Sequence, residues 1–406
     1  MRLLLIAPTC QLGGHQPAHV DAILTEALRR RWHVDLVTAP GDLEHSMGAK
    51  ILKAVEETSG RIIHSQFAKV SVNGPLSWAQ GQWRRWNSVR TAWKKARRQA
   101  AYDVVFVMDG DGWYVPSILL GTPVYSVPLV TIMLRLRYHW NASMGNGVID
   151  AGSVIQRTVF ERYLRLRWAA AVCVMEACLW ETCHNDVHPW FRKVRYVPDF
   201  GQTPPLIDKF DARRRLGLPA EARIVACVGG LNERKNLWAL FQALAHPVCP
   251  SEVCALLMGS VAPELDASLR NGLVNLLLQQ RRLFLFEGTY DADRLGAALS
   301  AADCAWLCYR QHLGSSGFLW ESAQAGLPIV GCAAGEIAHQ IENLRLGLTI
   351  AGQDPAATAR ALDRATRRSE EAEQWRRNCL LAAVAHTSSA FGQALCDVIA
   401  DVGSST

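Results

Sequence analysis

The sequence predicts an α/β protein with two doubly wound domains, each a parallel sheet flanked by helices. Buried apolar runs alternate with amphipathic stretches through both halves of the chain. The alternation pauses at Pro198–Pro205, which holds three prolines and one glycine and is typical of a linker. The 406 residues, half of them apolar, suffice for two cores. We therefore expect an N-terminal domain over 1–200, a C-terminal domain over 206–380, and a last helix over 381–406 that packs back on the N-terminal domain.

The N-terminal half begins with a βαβ unit. A strand at Leu3–Ala7 leads through Gly13 and Gly14 into a helix over Pro17–Arg31 and a strand at Val34–Thr38. The glycine turn thus lies at the carboxyl end of a parallel strand, where ligands sit in open sheets. Later elements are predicted as strands at Val104–Met108, Val124–Met133, Ala171–Met175 and Val194–Val197 and a helix over Ser153–Trp168.

The C-terminal half repeats this alternation and ends in helices over Pro355–Val402. Its strands are predicted at Ile224–Val228, Val253–Met258, Leu283–Phe286, Cys304–Cys308 and Ile329–Gly331. Its helices are predicted at Leu237–Leu244, Ala292–Ala301 and Gly317–Ala325. The loops at the carboxyl ends of these strands are expected to meet at one edge of the sheet.

The cysteines and the apolar runs exclude several classes of protein. Twelve cysteines are scattered without a CxxC pair or a histidine cluster at ligand spacing, so we interpret most as reduced core residues. The apolar start is too short for a signal peptide, and no run reaches the roughly 18–20 residues of a spanning helix. We expect a cytoplasmic protein.

Positive charge is concentrated in the N-terminal half. Residues 1–200 hold 24 Lys and Arg against 16 Asp and Glu, whereas residues 201–406 hold 19 against 21. This asymmetry predicts an anionic partner for the N-terminal half, such as a membrane surface, a nucleic acid or a phosphorylated acceptor.

The stretch Trp78–Arg98 combines tryptophans and basic residues at helical spacing. One stripe is expected to hold Trp83, Trp86, Val89, Trp93 and Ala96, flanked by Arg84, Arg85, Lys94, Lys95, Arg97 and Arg98. Such a helix suits the inner face of an anionic membrane, as a peripheral contact. The alternative is that the tryptophans pack on the N-terminal domain. We recognise no nucleic-acid-binding module.

A small-residue loop opens the helix predicted at Gly317. Gly314, Ser315, Ser316 and Gly317 follow a strand, so backbone N–H groups and the helix dipole can reach a phosphate. Glu321, just inside the helix, can accept hydrogen bonds from ribose hydroxyls. The alternative is an ordinary strand–helix turn with a solvated glutamate.

A second basic loop follows the strand Ile224–Val228. It contains Gly229, Gly230, Arg234 and Lys235. A lysine at the carboxyl end of a strand can neutralise a diphosphate, although an isolated one is usually a surface residue. Because both loops follow strands of one domain, we expect them to face one cleft.

Taken in order, these motifs resemble the glycosyltransferases of family 4, retaining enzymes with the GT-B fold of two Rossmann-like domains facing across a cleft. The resemblance covers nearly the whole chain. It rests on Gly13-Gly14 with His19-Val20 and Arg31–Val34, on Gly229–Asn236, on Phe286-Glu287-Gly288 with Ala301-Ala302-Asp303, and on Glu321 with Ala325–Val330.

The resemblance implies a role for each matching residue. Lys235, Arg234 and Glu321 are implied as catalytic, with Lys235 on the donor diphosphate and Glu321 on the ribose. The other implied donor contacts are Gly13, Gly14, Gly229, Gly230, Gly288, His312, Gly314, Ser315, Ser316 and Gly317. The residues expected on the acceptor side are His19, Asp109, Arg135 and His139.

Two positions depart from the family pattern. Leu313 stands where the family has a glutamate that holds a sugar hydroxyl, and His312 is the candidate to replace that contact. Gly230 stands where an arginine is common, and Arg234 is close enough in sequence to compensate.

The implied reaction moves a sugar from a UDP- or GDP-sugar to a glycan, glycolipid or lipid-linked acceptor in bacterial surface polysaccharide or glycoconjugate synthesis. The resemblance implies retention. We expect no cofactor or metal, because Asp109-Gly110-Asp111 has ligand spacing but lies in the acceptor half. The alternatives are a non-catalytic GT-B protein that binds a glycan or partner, and a sugar-nucleotide epimerase.

Overall fold

The structure is a computed structural model, and it divides the chain into two units. It describes residues 1–11, 16–68, 75–134, 136, 151–265 and 272–404. One unit comprises Met1–Pro198 with Ser388–Thr406, and the other comprises Asp199–Thr387. The N-terminal unit thus contains the last helix of the chain.

The N-terminal unit is built on a seven-stranded parallel sheet. Its strands are β1 (Arg2–Ile6), β2 (His33–Thr38), β3 (Ile62–His64), β4 (Val104–Val107), β5 (Leu129–Met133), β6 (Ala169–Val174) and β7 (Val194–Tyr196). Their order is β3-β2-β1-β4-β5-β6-β7, and every pairing is parallel. The order reverses between β1 and β4, which places a crevice at the carboxyl ends of these two strands.

Helices cover this sheet. They are α1 (Gln16–Arg29), α2 (Ser46–Glu57), α3 (Pro75–Ala96), α4 (Tyr114–Leu120), α5 (Ala151–Leu164), α6 (Ala177–His184) and, at the chain's end, α15 (Ser388–Ser404). Helix α15 packs along α1, where Arg30, just after α1, forms an ion pair with Asp397 at 2.6 Å and the ring of His19 packs on Phe391.

The strand predicted at Val124–Met133 is shorter in the structure. Only Leu129–Met133 is extended and paired. Pro128 has no N–H to donate to a ladder, and Ser126 has a positive φ of 69°. These two residues hold the preceding segment out of the sheet.

The tryptophan stripe of α3 faces the protein core, which corrects the expectation that it faces lipid. Trp86 and Trp93 are buried in the core of the N-terminal unit with Val89 and Ala96, and Trp86 Nε1 donates to the Gly121 carbonyl at 3.1 Å. Packing in the core removes these rings from solvent, which the hydrophobic effect favours. Of the predicted stripe, Trp83 alone is exposed, at 53 %.

The C-terminal unit repeats the plan with six parallel strands. They are β8 (Arg223–Val228), β9 (Val253–Gly259), β10 (Leu283–Glu287), β11 (Cys304–Leu307), β12 (Ile329–Cys332) and β13 (Gly347–Ile350), in the order β10-β9-β8-β11-β12-β13. The order reverses between β8 and β11. The crevice of this unit therefore lies beyond the carboxyl ends of those two strands.

The helices of this unit lie on both faces of its sheet. They are α7 (Lys209–Arg215), α8 (Leu237–Ala245), α9 (Gly272–Gln279), α10 (Ala292–Ala301), α11 (Gly317–Gln324), α12 (Gly335–Leu344), α13 (Pro355–Thr366) and α14 (Glu370–Ala383). Two apolar cores result, one on each side of the sheet.

Within the described ranges, no single helix is long and apolar enough to cross a membrane. Helices α14 and α15 meet that criterion only when they are taken together as one broken segment. Both helices bury core side chains, including Cys379 of α14 and Phe391 of α15.

Candidate functional site

The loops after β8 and β11 meet at the crevice of the C-terminal unit. After β8 the chain turns at Gly229 and forms a short 3₁₀ turn over Glu233–Lys235 before α8. After β11 it runs through Tyr309 into the loop that opens α11. The two predicted donor motifs are therefore neighbours in space.

Lys235 is the buried cation of this crevice. Its side chain reaches back to the carboxyl end of β8, and the residue is only 3 % exposed. Its ammonium donates to the Val228 carbonyl at 2.9 Å and to the Tyr309 hydroxyl at 2.6 Å, and it lies 5.3 Å from the Phe318 ring. Burial lowers the pKa of Lys235, but the interactions with Tyr309 and Cys227 together outweigh it and the net pKa is raised. The ammonium is thus charged at neutral pH, and its hydrogen-bond partners are neutral.

The backbone of Lys235 is also fixed. The indole N–H of Trp306, a fully buried residue of β11, donates to the Lys235 carbonyl at 2.9 Å. Asn236 follows in the left-handed conformation, with φ 51° and ψ 42°, and leads into α8. This turn lets the chain point the lysine toward β11 while α8 leaves in another direction.

Arg234 lies beside Lys235 but is exposed. Its guanidinium stacks over the Tyr309 ring at 4.9 Å, and its Nη1 lies 3.4 Å from Nδ1 of His312. The His312 ring also contacts Tyr309 edge-on and pairs through Nε2 with the Ser315 carbonyl at 3.1 Å. These contacts give His312 a fixed place in the loop.

Helix α11 begins at the other side of the crevice. Ser316 is its N-cap and has no capping hydrogen bond from its side chain. Gly314, Ser315 and Ser316 are half-buried, while Gly317 is buried. The first N–H groups of α11 and the two hydroxyls can therefore serve as donors to an anion.

Glu321, one turn into α11, is the carboxylate of the crevice. Its Oε1 accepts from the Gln202 amide at 3.3 Å. Burial raises the pKa of Glu321 to about 7, although the Gln202 hydrogen bond and the charge of Lys235 oppose the shift. The group is therefore poised between its neutral and ionised forms at physiological pH.

The segment predicted as a linker supports this carboxylate. A Cβ on Gly201 would lie within 2.6 Å of both the Glu321 amide and the Gly317 carbonyl. Gly201 therefore packs directly on α11, which brings Gln202 into range of Glu321. The ring of His386 stacks on Trp320 of α11, and its Nδ1 pairs with the Asp199 carbonyl at 2.8 Å.

Glycines keep the floor of the crevice open. Gly229 and Gly288 both have φ of +109°, a region that side chains rarely adopt. A Cβ on Gly229 would lie 3.5 Å from the Lys235 ammonium, whereas one on Gly230 or Gly288 would meet open space. Backbone at these positions is thus accessible to a ligand.

Leu313, in place of the expected glutamate, is buried. Its carbonyl accepts from the Glu336 amide at 2.8 Å, at the start of α12. Gly335 fits closely there, since a Cβ on it would lie 2.7 Å from the Leu313 Cα. The loop thus keeps a defined path at this position without a carboxylate.

The predicted acceptor residues belong to the N-terminal unit. His19 is buried against Phe391. Asp109 lies just after β4, with its carboxylate 3.8 Å from the Arg85 guanidinium. Asp111 accepts from the Leu134 amide at 2.6 Å. Four predicted residues lie outside the described ranges: Gly13, Gly14, Arg135 and His139.

In the described part of the chain, no group of three or more His, Cys, Asp or Glu residues is arranged to hold a metal ion. The expectation of metal-independent chemistry stays a prediction.

Two tyrosines that none of the sequence motifs contains also lie at the site. Tyr309 holds the Lys235 ammonium, and Tyr290 lies beside Gly229 with a pKa that burial raises to about 12. Tyr309 directly follows the predicted strand Cys304–Cys308 and lies one residue beyond the end of β11 at Leu307, so its position at a strand end was the available signal. Tyr290 is separated from its strand by two residues and gave no such signal.

The comparisons with known proteins bear on this geometry. Residues 222–368 match the family described as "Glycosyl transferases group 1". No curated protein matches the chain by sequence. The family match covers β8 to α13 and so includes Lys235, Tyr309 and Glu321.

Several solved structures are similar to this chain over nearly its full length. Sucrose-phosphate synthase from Thermosynechococcus elongatus is 19 % identical, with a TM-score of 0.67 and full coverage of both chains. Anabaena HepE in complex with UDP-glucose is 16 % identical, with a TM-score of 0.65, covering 99 % of this chain and 100 % of that one. WaaG, a glycosyltransferase involved in lipopolysaccharide biosynthesis, is 14 % identical, with a TM-score of 0.64, covering 98 % and 99 %.

At these identities the matches establish the fold. The chain has the GT-B fold over its whole length, and residues 222–368 of its C-terminal unit match the group 1 glycosyl transferases.

Proposed function

We propose that the protein is a retaining glycosyltransferase that takes its sugar from a nucleoside diphosphate sugar, a UDP- or GDP-sugar. The observation that carries the proposal is the convergence of Lys235 and Glu321 at the strand reversal of the C-terminal unit, within the residues that match the group 1 family. A buried ammonium and a half-buried carboxylate match the two ends of a nucleoside diphosphate. The ammonium suits the diphosphate and the carboxylate suits the ribose hydroxyls.

The reaction breaks the bond between the anomeric carbon and the donor's phosphate oxygen, and forms one between that carbon and an acceptor oxygen. The acceptor proton passes to the departing phosphate. Negative charge grows on the leaving oxygen, where Lys235, the Ser315 and Ser316 hydroxyls and the α11 N–H groups can stabilise it. We propose attack on the face that the phosphate leaves, which gives retention without a protein nucleophile.

For the diphosphate to reach Lys235, it must compete with neutral groups alone. Val228 and Tyr309 supply a carbonyl and a hydroxyl to the ammonium. A phosphate oxygen is a stronger acceptor than either, because the hydrogen bond is then charge-assisted at both ends. Binding therefore does not require breaking a buried ion pair.

We propose a glycan, glycolipid or lipid-linked acceptor, in bacterial surface polysaccharide or glycoconjugate synthesis. The full-length likeness to HepE and WaaG supports this choice, since WaaG is described as acting in lipopolysaccharide biosynthesis. The positive excess of residues 1–200 also suits a peripheral contact with an anionic membrane on its cytoplasmic face.

A non-catalytic GT-B protein is the second candidate. This candidate is suggested by Leu313, a buried apolar residue at the position where the family has a glutamate that holds a sugar hydroxyl. Such a protein would bind the nucleotide half of a donor but would not transfer the sugar.

A thermal-shift screen of UDP-, GDP-, ADP- and dTDP-sugars separates these candidates from each other and from an unrelated function. One donor should raise the melting temperature of the wild type by mass action and fail to do so in Lys235→Ala and Glu321→Ala. The stabilising donor is then incubated with the protein and a bacterial membrane extract. Release of the free nucleotide supports a transferase, whereas binding without release supports the non-catalytic candidate. A screen in which no nucleotide sugar stabilises the wild type contradicts both.

A further inference from the structure

A buried arginine at the crevice of the N-terminal unit has no adequate partner. Arg85, on α3, is 5 % exposed. Its one ion pair in the described residues joins Nη2 to the Asp109 carboxylate at 3.8 Å, beyond hydrogen-bond distance. Burial lowers the pKa of Arg85, but a guanidinium stays protonated in proteins. A full positive charge is therefore buried with weak compensation.

The N–H groups of Arg85 are also unsatisfied. Among the described residues, neither Nε nor Nη1 has a hydrogen-bond partner. Buried polar groups in folded proteins are nearly always paired, and a buried charge requires both a counter-charge and hydrogen bonds. The unmet donors thus call for a negatively charged acceptor atom from outside the chain.

The loop beside this guanidinium is fixed by hydrogen bonds. Gln82, one turn earlier on α3, donates through its side-chain amide to the Asp111 carbonyl. Asp111 in turn accepts from the Leu134 amide at the end of β5. Asp109 has a left-handed backbone, with φ 58° and ψ 49°, a strained conformation of the kind found at binding sites. Arg85 therefore borders a fixed loop rather than open surface.

The location is that of a ligand site. Asp109 follows β4, and the strand order of this sheet reverses between β1 and β4. Ligands of open parallel sheets sit at the carboxyl ends of the strands at such a reversal. The position of Arg85 and its missing partners are independent observations, and both indicate a bound group.

We propose that Arg85 binds an oxyanion of the acceptor, a phosphate or a carboxylate, in the N-terminal unit. The identification with the acceptor rests on the proposed function, whereas the anion site itself does not. A planar guanidinium matches both oxyanions because its N–H groups can donate to two oxygens at once. The positive excess of residues 1–200 would draw such an acceptor toward this unit.

The anion site is tested by NMR of the full chain labelled with ¹⁵N-arginine. The Nε–H resonance of Arg85 is assigned by its absence in Arg85→Lys. Inorganic phosphate and acetate are titrated separately at constant ionic strength, with chloride as the reference anion. We expect a saturable shift of the Arg85 resonance and no shift of that of Arg84, its exposed neighbour. Repeating the titration in Lys235→Ala removes any contribution from the C-terminal site.

The two anions distinguish the sources of the oxyanion. A response to phosphate alone indicates a phosphorylated acceptor, and a response to acetate alone indicates an acidic sugar or another carboxylate. An Arg85 resonance that neither anion moves, or that chloride moves equally, overturns the proposal.

Kinetics test the link to the acceptor. Arg85→Gln should raise the KM for the acceptor at least about tenfold, the equivalent of one charge-assisted hydrogen bond, and leave the KM for the donor unchanged. Arg84→Gln is the matched control and should change neither. Equal effects on both KM values would show that Arg85 supports the fold instead. A chain that transfers no sugar overturns the proposed function, and the anion titration still decides on the site.

Discussion

The two units of this protein carry a buried cation at the same topological place. Each sheet reverses its strand order at a central pair, β1 with β4 in one unit and β8 with β11 in the other. Arg85 lies beside the first reversal and Lys235 beside the second. Both residues are at most 5 % exposed. The same fold rule thus places a cation at the ligand edge of each sheet.

The two cations differ in how they are satisfied. Lys235 donates two good hydrogen bonds, both to neutral acceptors. Within the described ranges, Arg85 has a long ion pair with a carboxylate and two nitrogens without partners. A lysine with neutral partners is preorganised in the free protein and can exchange one partner for a phosphate. An arginine whose N–H groups lack acceptors depends on its ligand to complete their hydrogen bonds.

The largest expected effect comes from removing the C-terminal cation. Lys235→Ala should lower kcat by about 100- to 1000-fold, the range for loss of one preorganised group that stabilises developing charge. Nucleoside diphosphate binding should weaken as well, as isothermal titration calorimetry can measure. Arg214→Ala, which removes an exposed arginine from α7 of the same unit, is the control. Comparable losses in both variants would mean that Lys235 acts only through the net charge.

Glu321 should give the unit a pH dependence of stability. Its pKa is raised from an ordinary 4.5 to about 7 by burial, so the native state holds the proton more tightly than the unfolded state. The contribution of Glu321 to the free energy of unfolding should therefore be complete below about pH 4.5. It should be lost as the pH rises to about 7. Relative to Glu321→Gln, the loss should reach at most about 3 kcal/mol. Urea unfolding across this range measures it, and parallel curves for the two proteins would contradict the shifted pKa.

The same group should make donor binding pH-dependent in the opposite sense. The ionised carboxylate accepts ribose hydroxyls more strongly than the acid, so affinity for a UDP-sugar should rise as the pH passes about 7. The gain should be roughly tenfold, because hydrogen bonds to charged groups contribute about 1.5–3 kcal/mol. Glu321→Gln should bind weakly at every pH. A wild-type affinity that does not change with pH would remove Glu321 from the ribose site.

Much of this site was predictable from the sequence because it follows strand ends. Apolar runs predicted both strands, β8 and β11, and the loop residues Lys235 and Glu321 follow from those strands by short spacings. Tyr309 was missed because a tyrosine after a buried strand also fits a core residue. Its role appears only when the lysine folds back under the strand end.

The helix α3 shows where sequence reasoning fails. Tryptophans and basic residues at helical spacing suit either a lipid interface or a core face, and the pattern cannot distinguish them. The structure places Trp86 and Trp93 in the core and leaves Trp83 outside. The burial of Arg85 was equally unpredictable, since arginine is rarely buried without a partner. Which side of a helix meets the sheet is decided by tertiary packing.

A smaller effect should come from the hydroxyl that holds Lys235. Tyr309→Phe keeps the ring under Arg234 but removes one of the two acceptors of the ammonium. We expect kcat to fall about threefold to tenfold, equivalent to one ordinary hydrogen bond of about 0.5–1.5 kcal/mol. The control is Tyr290→Phe, since Tyr290 lies beside Gly229 and the structure shows no hydrogen bond from its hydroxyl to Lys235. Equal losses in the two variants would show that Tyr309 does not position the lysine.

The last comparison of the two units concerns membrane contact. With Trp86 and Trp93 buried, any attraction to an anionic surface must come from exposed basic side chains such as Lys94 and Arg98. Replacing both by glutamine should weaken binding to vesicles that contain anionic lipid by about 1 kcal/mol per charge at low salt. The unfolding free energy should change by less than about 0.5 kcal/mol. The matched control replaces the exposed Arg214 and Arg215 of the C-terminal unit by glutamine. Equal weakening of vesicle binding in both double variants would assign the contact to net charge rather than to the N-terminal unit. A wild-type protein that does not co-sediment with the vesicles would rule out the contact.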